Sequence, residues 1–556
     1  MASFSLTHPL NLKPSTAIST SCFPPSFYQN KSHIPNLRHQ RQPASCKGSG
    51  EHDQSSVGNV DRRNVLIGLG GLCGGAAVAG LGSNPLALAD PVAPPDVTKC
   101  GPADFPPGAI PSDCCPPVST VKDYKLPSVS KLRVRPPAHA VDEEYIAKYS
   151  RAIELMKALP DSDPRSFTQQ ADVHCAYCNG SYDQVGFPNL ELQVHTSWLF
   201  LPFHRWYLYF YERILGKLIG DPNFALPFWD YDSPPGMQLP ALFANVDSPL
   251  YDKLREATHQ PPTIIDLDFS TADIGVPPSS SQVSTNLCTM YRQMISCGKN
   301  PRLFYGEPYR EGDDPNPGAG TIETVPHNSV HLWTGDSTQP NFENMGNFYS
   351  AARDPIFYSH HSNIDRLWSL VRVYVCDSLD TKKLGYVYQE VEIPWEKSKP
   401  KPRRGKSVLA KTSTTAATKK TTTTVNFPIR LDGTISTVVP RPKKSRSKEE
   451  KENEEEVLVI EGIEFDENYP VKFDVHVNDD EQSPCGPENS EFAGSFLNVP
   501  HWKKGDNTIR TNLRLGITDI LEDLGADGDD IVVVTLVPEC GAGLITISGI
   551  KIKFIS

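Results

Sequence analysis

The chain has 556 residues, with 54 Lys and Arg against 66 Asp and Glu, 51 prolines and 13 cysteines. That length leaves room for two or three domains at about 100–200 residues each, and the formal net charge of -12 argues against a nucleic-acid binder, which is normally basic. The charge is uneven: residues 1–50 hold five Lys or Arg and no carboxylate before Glu51.

In chain order, the first element reads as an address. Residues 1–50 also hold twelve Ser and Thr, and this acid-free, hydroxyl-rich composition predicts a cleaved organelle transit peptide. Asp61-Arg62-Arg63-Asn64 then precedes a glycine-laden apolar run from Val65 to about Leu81, ending in Ala87-Leu88-Ala89. This is the pattern of a twin-arginine export signal. Residues 1–89 therefore read as a bipartite address to the chloroplast and on to the thylakoid lumen. A mitochondrial presequence and a membrane anchor are the competing readings, the anchor weakened by the short run and by Asp90-Pro91 directly after it. The mature chain starts near Asp90 with a net charge of about -16, and no later stretch is long and apolar enough to span a bilayer.

Residues 90–397 are proline-punctuated and aromatic. Their pattern predicts helices over residues 141–159, 190–219 with an interruption at Pro202, 326–333 and 355–375, the last two opened by a proline where a helix needs no N–H donor. Residues 398–456 turn abruptly to Thr, Lys and Arg, then to Glu, which predicts a flexible linker without a core; a basic binding site is the alternative. Residues 457–556 alternate β-branched and polar positions between Gly, Pro, Asn and Asp, the pattern of an all-β sandwich.

Eleven of the fifteen histidines follow residue 90, and six form two local sets. The first is His174, His195 and His204. The second is His327 and His331, four apart and so on one helical face, with His361. Asp365, one turn after His361, either orients a ligand's second ring nitrogen or anchors the helix. A single H-x-x-x-H is a weak signal, and His139 and His259 read as structural; two helical sets of three are the strong one. No Glu-x-x-His spacing supports a di-iron bundle, hard cations prefer oxygen donors, and blue copper needs Cys and Met. Two three-histidine sites between facing helices suit two copper ions sharing one O₂. A pair of His₃ zinc sites is the competing reading, odd without a bridging carboxylate.

These residues resemble the plant polyphenol oxidases, the catechol oxidase and tyrosinase group of type-3 copper proteins. The resemblance rests on His174-Cys175-Ala176-Tyr177-Cys178, the run from His195 to Arg205, His327-Asn328-Ser329-Val330-His331, His360-His361-Ser362-Asn363-Ile364-Asp365-Arg366, Tyr386-Val387-Tyr388, and Lys472-Phe473-Asp474-Val475-His476-Val477-Asn478. It implies a mainly α-helical bundle holding a dicopper catalytic site, followed by an all-β sandwich C-terminal domain. His174, His195 and His204 would hold the first copper, and His327, His331 and His361 the second, with His360 a neighbour that is not a ligand. Cys178 would form a thioether with His195, Glu323 would position a water, Asn328 would help Glu323 deprotonate a monophenol, and Phe348 would be a gate stacked over the second copper. Disulfides Cys100–Cys115 and Cys114–Cys175 would staple the N-terminal arm.

The implied reaction is oxidation of o-diphenols to o-quinones with reduction of O₂ to water, with monophenol hydroxylation left open. The small phenols would dock in an apolar surround of Trp198, Phe200, Phe203 and Phe348, and the β domain would keep the enzyme latent until a protease cuts the linker. One departure stands out: after Ser369 the family's pattern continues for roughly thirty residues that this chain lacks. An inactive copper-binding or structural variant and an oxygen carrier are therefore the alternatives.

Overall fold

The computed structural model describes residues 92–117, 124–270, 280–371, 380–403, 425–480, 484–503, 505 and 507–556. The expected address in residues 1–89 and the Thr-rich part of the expected linker, residues 404–424, lie outside them.

Caps and apolar spacing set the first helices. In α1 (Glu143–Lys157) the Asp142 carboxylate caps Tyr145 N at 2.8 Å, and Tyr149, Ala152, Ile153 and Met156 turn one stripe to the core. Burying each of the larger side chains contributes about 1.5–3 kcal/mol. In α2 (Phe167–Cys178), Ser166 caps Gln169 N. This helix carries His174 and escapes a periodicity search. It buries Gln170, Asp172, His174 and Cys175 together with its apolar residues, so no polar face marks it.

The helical segment expected over residues 190–219, with its interruption at Pro202, forms only in its later part and runs through Pro202. A hairpin of β2 (Asp183–Gln184) and β3 (Phe187–Glu191) takes its first part, Thr196 adopts φ 56°, and α3 runs only over Phe200–Leu218. The left-handed turn at Thr196 breaks any helix passing through it. Pro202 sits in the first turn of α3, where its missing N–H costs nothing. After α4 (Ser280–Tyr291), Val325 is extended and helical geometry resumes at Pro326, leading into α5 (Ser329–Thr334). Helix α6 (Ile356–Leu370) is buried from Ile356 to Trp368.

A short parallel pair, β1 (Arg133–Arg135) and β4 (Tyr386–Tyr388), locks α3 to α6. Glu212 on α3 accepts from Arg133 Nε (2.7 Å) and Arg135 Nε (2.9 Å). Asp365 on α6 accepts from Arg135 Nη1 (3.3 Å), Tyr386 Oη (2.7 Å), Tyr388 Oη (2.5 Å) and Arg205 Nε. Asp365 is thus the helix anchor, the second of the two roles expected for it.

The sandwich starts earlier than expected. Strands β5 (Ile429–Arg430) and β6 (Ile435–Pro440) and helix α7 (Lys448–Asn453) fall within the stretch read as linker. Its charges are paired: Arg441 holds Glu456 at 2.8 and 3.0 Å in a buried bridge, and Ser447 and Glu450 form a capping box. High charge therefore did not mean absence of structure. The remaining strands are β7 (Glu455–Asp466), β8 (Lys472–Val477), β9 (Phe492–Leu497), β10 (Thr508–Gly516), β11 (Ile531–Cys540), β12 (Thr546–Ile547) and β13 (Gly549–Ile555). One antiparallel sheet runs β6-β11-β8-β9; the other runs β10-β7-β12-β5, with β13 also on β7. Between them pack Leu458, Ile460, Phe473, Val475, Leu513, Leu515, Val534 and Leu536.

The sandwich lies against the helical region through ionic and backbone contacts. Lys472 Nζ reaches Asp268 at 3.2 Å and Asp474 at 2.7 Å, and Lys503 Nζ reaches Glu191 and Glu311 at 3.1 Å and Glu467 at 3.4 Å. Among the described residues, no helix is long and apolar enough to cross a membrane.

Candidate metal centre

Two histidine groups meet inside the helical region. His174 from α2, His195 from the loop after β3 and His204 from α3 bring their ring nitrogens within 4.8 Å of one another, and so do His327, His331, His360 and His361 from the segment around α5 and from α6. All are buried. The groups face each other, with the rings of His204 and His361 stacked at 4.0 Å and those of His195 and His327 5.8 Å apart.

Hydrogen bonds at the far side of five of the rings set their tautomer, while Nδ1 of His361 has no partner among the described residues. Nδ1 donates to a backbone carbonyl in His174 (Phe348 O, 2.7 Å), His204 (Phe200 O, 2.8 Å) and His331 (Met345 O, 2.7 Å). In His195 it donates to Gln193 Oε1 (3.1 Å) and in His327 to Asn328 Oδ1 (2.9 Å). With Nδ1 protonated, Nε2 presents a lone pair. Nε2 of His174, His195, His204 and His327 has no hydrogen-bond partner among the described residues, and those of His331 and His361 face each other at 3.3 Å. Four buried orphan acceptors pointing inward would each cost free energy if nothing filled the gap; bound metal ions satisfy them. Burial pushes these rings well below the usual histidine range, with neighbouring imidazoles adding to it in His174 and His327; His204 falls to about 3 and His331 to about 4 although backbone carbonyls oppose the shift. They stay neutral at physiological pH, as ligands must.

The other expected residues divide. Glu323 is buried, and burial raises its carboxyl to about 8 although Thr196 N donates to Oε1 at 2.7 Å. Asn328 donates Nδ2 to Leu497 O at 3.1 Å, so a residue beside the histidines touches the sandwich. Phe348 corrects an expectation: its ring stacks on His195 of the first group at 4.0 Å and 8°, not over the second group. Trp198 is 47% exposed and borders a cavity with Phe200 and Glu323; Phe357, which nothing in the sequence pattern singled out, lies 4.3 Å from His361 and 4.9 Å from His174 in ring centroids. His360 joins the second group, and neither of its ring nitrogens has a partner among the described residues. Cys178 is a free buried thiol packed with Val194 and Phe348. Cys100 pairs with Cys115 and Cys114 with Cys175, tying the arm to α2 beside His174.

Residues missed by sequence reading sit at the rim. Gln193 orients His195 and also donates Nε2 to Cys178 O at 3.0 Å. From the sandwich side, Leu497 and Val499 pack with Phe348 and Leu332, and the His501 ring stands 5.5 Å from Phe348. Only the docked sandwich brings them there.

Comparison with known proteins agrees with this architecture. Residues 164–372 match the common central domain of tyrosinase, 364–401 the polyphenol oxidase middle domain and 427–554 the chloroplastic polyphenol oxidase C-terminal domain. A chloroplastic polyphenol oxidase of Malus domestica is 57% identical over 575 aligned residues, covering 95% of this chain and 96% of its own length. That alignment is longer than the chain, so the apple protein carries stretches absent here. The aureusidin synthase of Antirrhinum majus is 52% identical, covering 83% of this chain and 89% of its own. The solved structure of latent apple tyrosinase superposes with a TM-score of 0.72 at 57% identity, covering 79% of this chain and all of that one. At this identity over nearly its whole length, the chain belongs to the plant polyphenol oxidases, tyrosinase-type oxidoreductases built around a type-3 dicopper centre.

Proposed function

We propose that the protein oxidises o-diphenols to o-quinones, two diphenols and one O₂ giving two quinones and two waters. The observation that carries this is the facing pair of buried histidine groups, in which His174, His195, His204, His327 and His331 are each held at Nδ1 by a hydrogen bond. His174, His195 and His204 hold one copper; His327, His331 and His361 hold the other, with His360 a packing neighbour. The coppers, when bound, supply the one-electron steps that couple O₂ reduction to phenol oxidation.

The chain's own residues do the rest. Phe200 and Phe357 pack edge-on around the imidazoles and keep bulk water from the centre. A thioether from Cys178 fixes the His195 ring. Thr196 N–H occupies Oε1 of Glu323, leaving Oε2 to hold a water that receives the phenolic proton. Phe348 limits approach from the side of His195.

Monophenol hydroxylation is the second reading, favoured by Asn328 beside His327. Asn328 shares the phenolic proton with Glu323 and the water it holds. Relatives of this chain diverge here, since one is named aureusidin synthase and another (+)-larreatricin hydroxylase. Replacing Asn328 by Gly should lower turnover of tyrosine by about tenfold or more while turnover of catechol is kept; equal loss on both substrates refutes the role.

Leu497, Val499 and His501 cap the mouth, so the full chain is latent until the sandwich is displaced, for which a protease cutting the polar linker (residues 398–424) is the natural agent. The relatives named chloroplastic and the address in residues 1–89 support a plastid, and the twin arginines the thylakoid lumen. The test is copper content plus O₂ uptake with catechol, before and after limited proteolysis. Two coppers per chain with activity that rises on cleavage supports the reading. Two coppers without catechol turnover favours an oxygen carrier, and far less than two coppers an inactive variant.

A further inference from the structure

A second cluster of metal-binding side chains lies in the sandwich, unused by the oxidase chemistry. His476 near the end of β8, Asp479 just after it and Cys485 bring a ring nitrogen, a carboxylate oxygen and a sulfur within 4.8 Å of one another. The His476 and Asp479 side chains are 2% and 3% exposed, and Cys485 is buried.

The backbone places each donor. His476 is fixed in a central strand, paired with Thr535 of β11 on one side and Phe492 of β9 on the other. Asn478 takes φ 55° and accepts Val533 N on its side-chain oxygen at 2.9 Å, turning the chain so that Asp479 comes back toward His476. Cys485 N–H donates to Asp479 Oδ2 at 2.8 Å, which aims the carboxylate and brings the sulfur close.

The spacings suit one ion. His476 Nδ1 is 3.2 Å from Asp479 Oδ2, and Cys485 Sγ is 4.0 Å from His476 Nδ1. A tetrahedral ion with metal–nitrogen and metal–oxygen bonds of about 2.0 Å and a metal–sulfur bond of about 2.3 Å needs an N···O edge of about 3.3 Å and an S···N edge of about 3.5 Å. The first edge is already formed, and a rotation of the Cys485 side chain supplies the second. We propose that His476, Asp479 and Cys485 form a site in the capping domain for a borderline divalent ion of the zinc type. One nitrogen, one sulfur and one carboxylate oxygen are that ion's donors, whereas magnesium and calcium take oxygens.

Before binding, burial and then the Asp479 carboxylate push the Cys485 thiol up. The thiol proton must leave as the metal–sulfur bond forms, so each ion bound releases one proton. Glu491 faces Cys485 and favours a cation, while Arg292 opposes it. Arg403, whose guanidinium lies 3.8 Å from Asp479 Oδ1, places the site where the chain leaves the helical region for residues 404–424.

The experiment uses the full-length, copper-loaded protein with reduced thiols, titrated with Co²⁺. A thiolate-to-cobalt charge-transfer band reaching one equivalent, with release of one proton, is expected. Cys178 is the cysteine packed beside the histidine centre, so Cys178→Ser should keep the band while Cys485→Ser and Asp479→Asn lose it. Zinc by mass spectrometry should fall from one per chain to none in Cys485→Ser while copper stays at two, which also reports that the variant folds. A wild-type chain without the band overturns the proposal, and so does a band that survives Cys485→Ser or vanishes in Cys178→Ser.

Discussion

Around the histidines the core is polar by necessity: imidazoles, Glu323 and Asp365 are buried, and five of the rings and both carboxylates are oriented by specific donors or acceptors. Between the two sheets the core is Leu458, Ile460, Phe473, Val475 and Val534. The helical region accepts costly buried polarity because only preorganised donors bind two metal ions. The sandwich holds its buried charge in pairs, in the Arg441–Glu456 bridge and at the seam, where Lys472 and Lys503 meet carboxylates of both regions. Neighbouring parts of one chain thus rest on different core chemistry.

The largest effect that separates the regions is loss of a ligand. His331→Ala should lower catechol-dependent O₂ uptake by at least about 1,000-fold and halve copper content. Val475→Ala in the sandwich should leave the kcat of the protease-activated enzyme within about twofold; O₂ uptake and copper analysis read both. Next, Asp365→Ala leaves Arg135 and Arg205 buried without their carboxylate, at a cost of about 3–5 kcal/mol, and should release copper. Leu536→Ala costs a similar 2–5 kcal/mol, about that of a core cavity, but with copper retained. Calorimetry with metal analysis distinguishes them, and copper loss in both would erase the contrast.

At the seam, Lys472→Met strands Asp268 and Asp474. Burial already raises Asp268 to about 7 despite Lys472, so the penalty is partly relieved by protonation. Activity of the uncut enzyme should rise by about tenfold or more, while that of the cleaved enzyme is unchanged. Smaller still is a pH effect. Burial raises Glu191 and Glu467 to about 7 although Lys503 opposes it, with Glu311 adding repulsion. Because the docked values lie above the ordinary carboxylate value, docking takes up protons. Its stabilisation is full below about pH 4.5 and is lost as pH rises through about 7. Latency should therefore weaken by about tenfold from pH 6 to 8, followed by exchange protection at residues 497–501. The smallest change expected is Lys448→Ala on exposed α7, within about 0.5 kcal/mol.

The histidine sets were legible because a helix repeats its face every three to four residues, so His327 and His331 declare a shared side without any knowledge of the fold. The β-branched alternation after residue 457 was legible for the same local reason. Helix α2 was not, since it is buried on nearly every face and shows no stripe. The stretch at residues 425–456 misled, because its charges are paired in space: Arg441 meets Glu456 across fifteen positions and Lys451 meets Glu522 from far along the chain. Phe348 carried no clue to which histidine it covers.

Local spacing in the sequence by itself determined the metal ligand types, the two histidine sets and the order of helical and β regions, because periodicity and donor chemistry are short-range properties. Tertiary structure decided the rest: that the two sets face across one gap, that Phe348 lies on His195, that Asp365 is an anchor, and that Leu497 and His501 come up to Asn328 and Phe348. Each of these is a meeting of segments far apart in the chain, fixed by packing and by desolvated charge pairs that form only once the chain has folded.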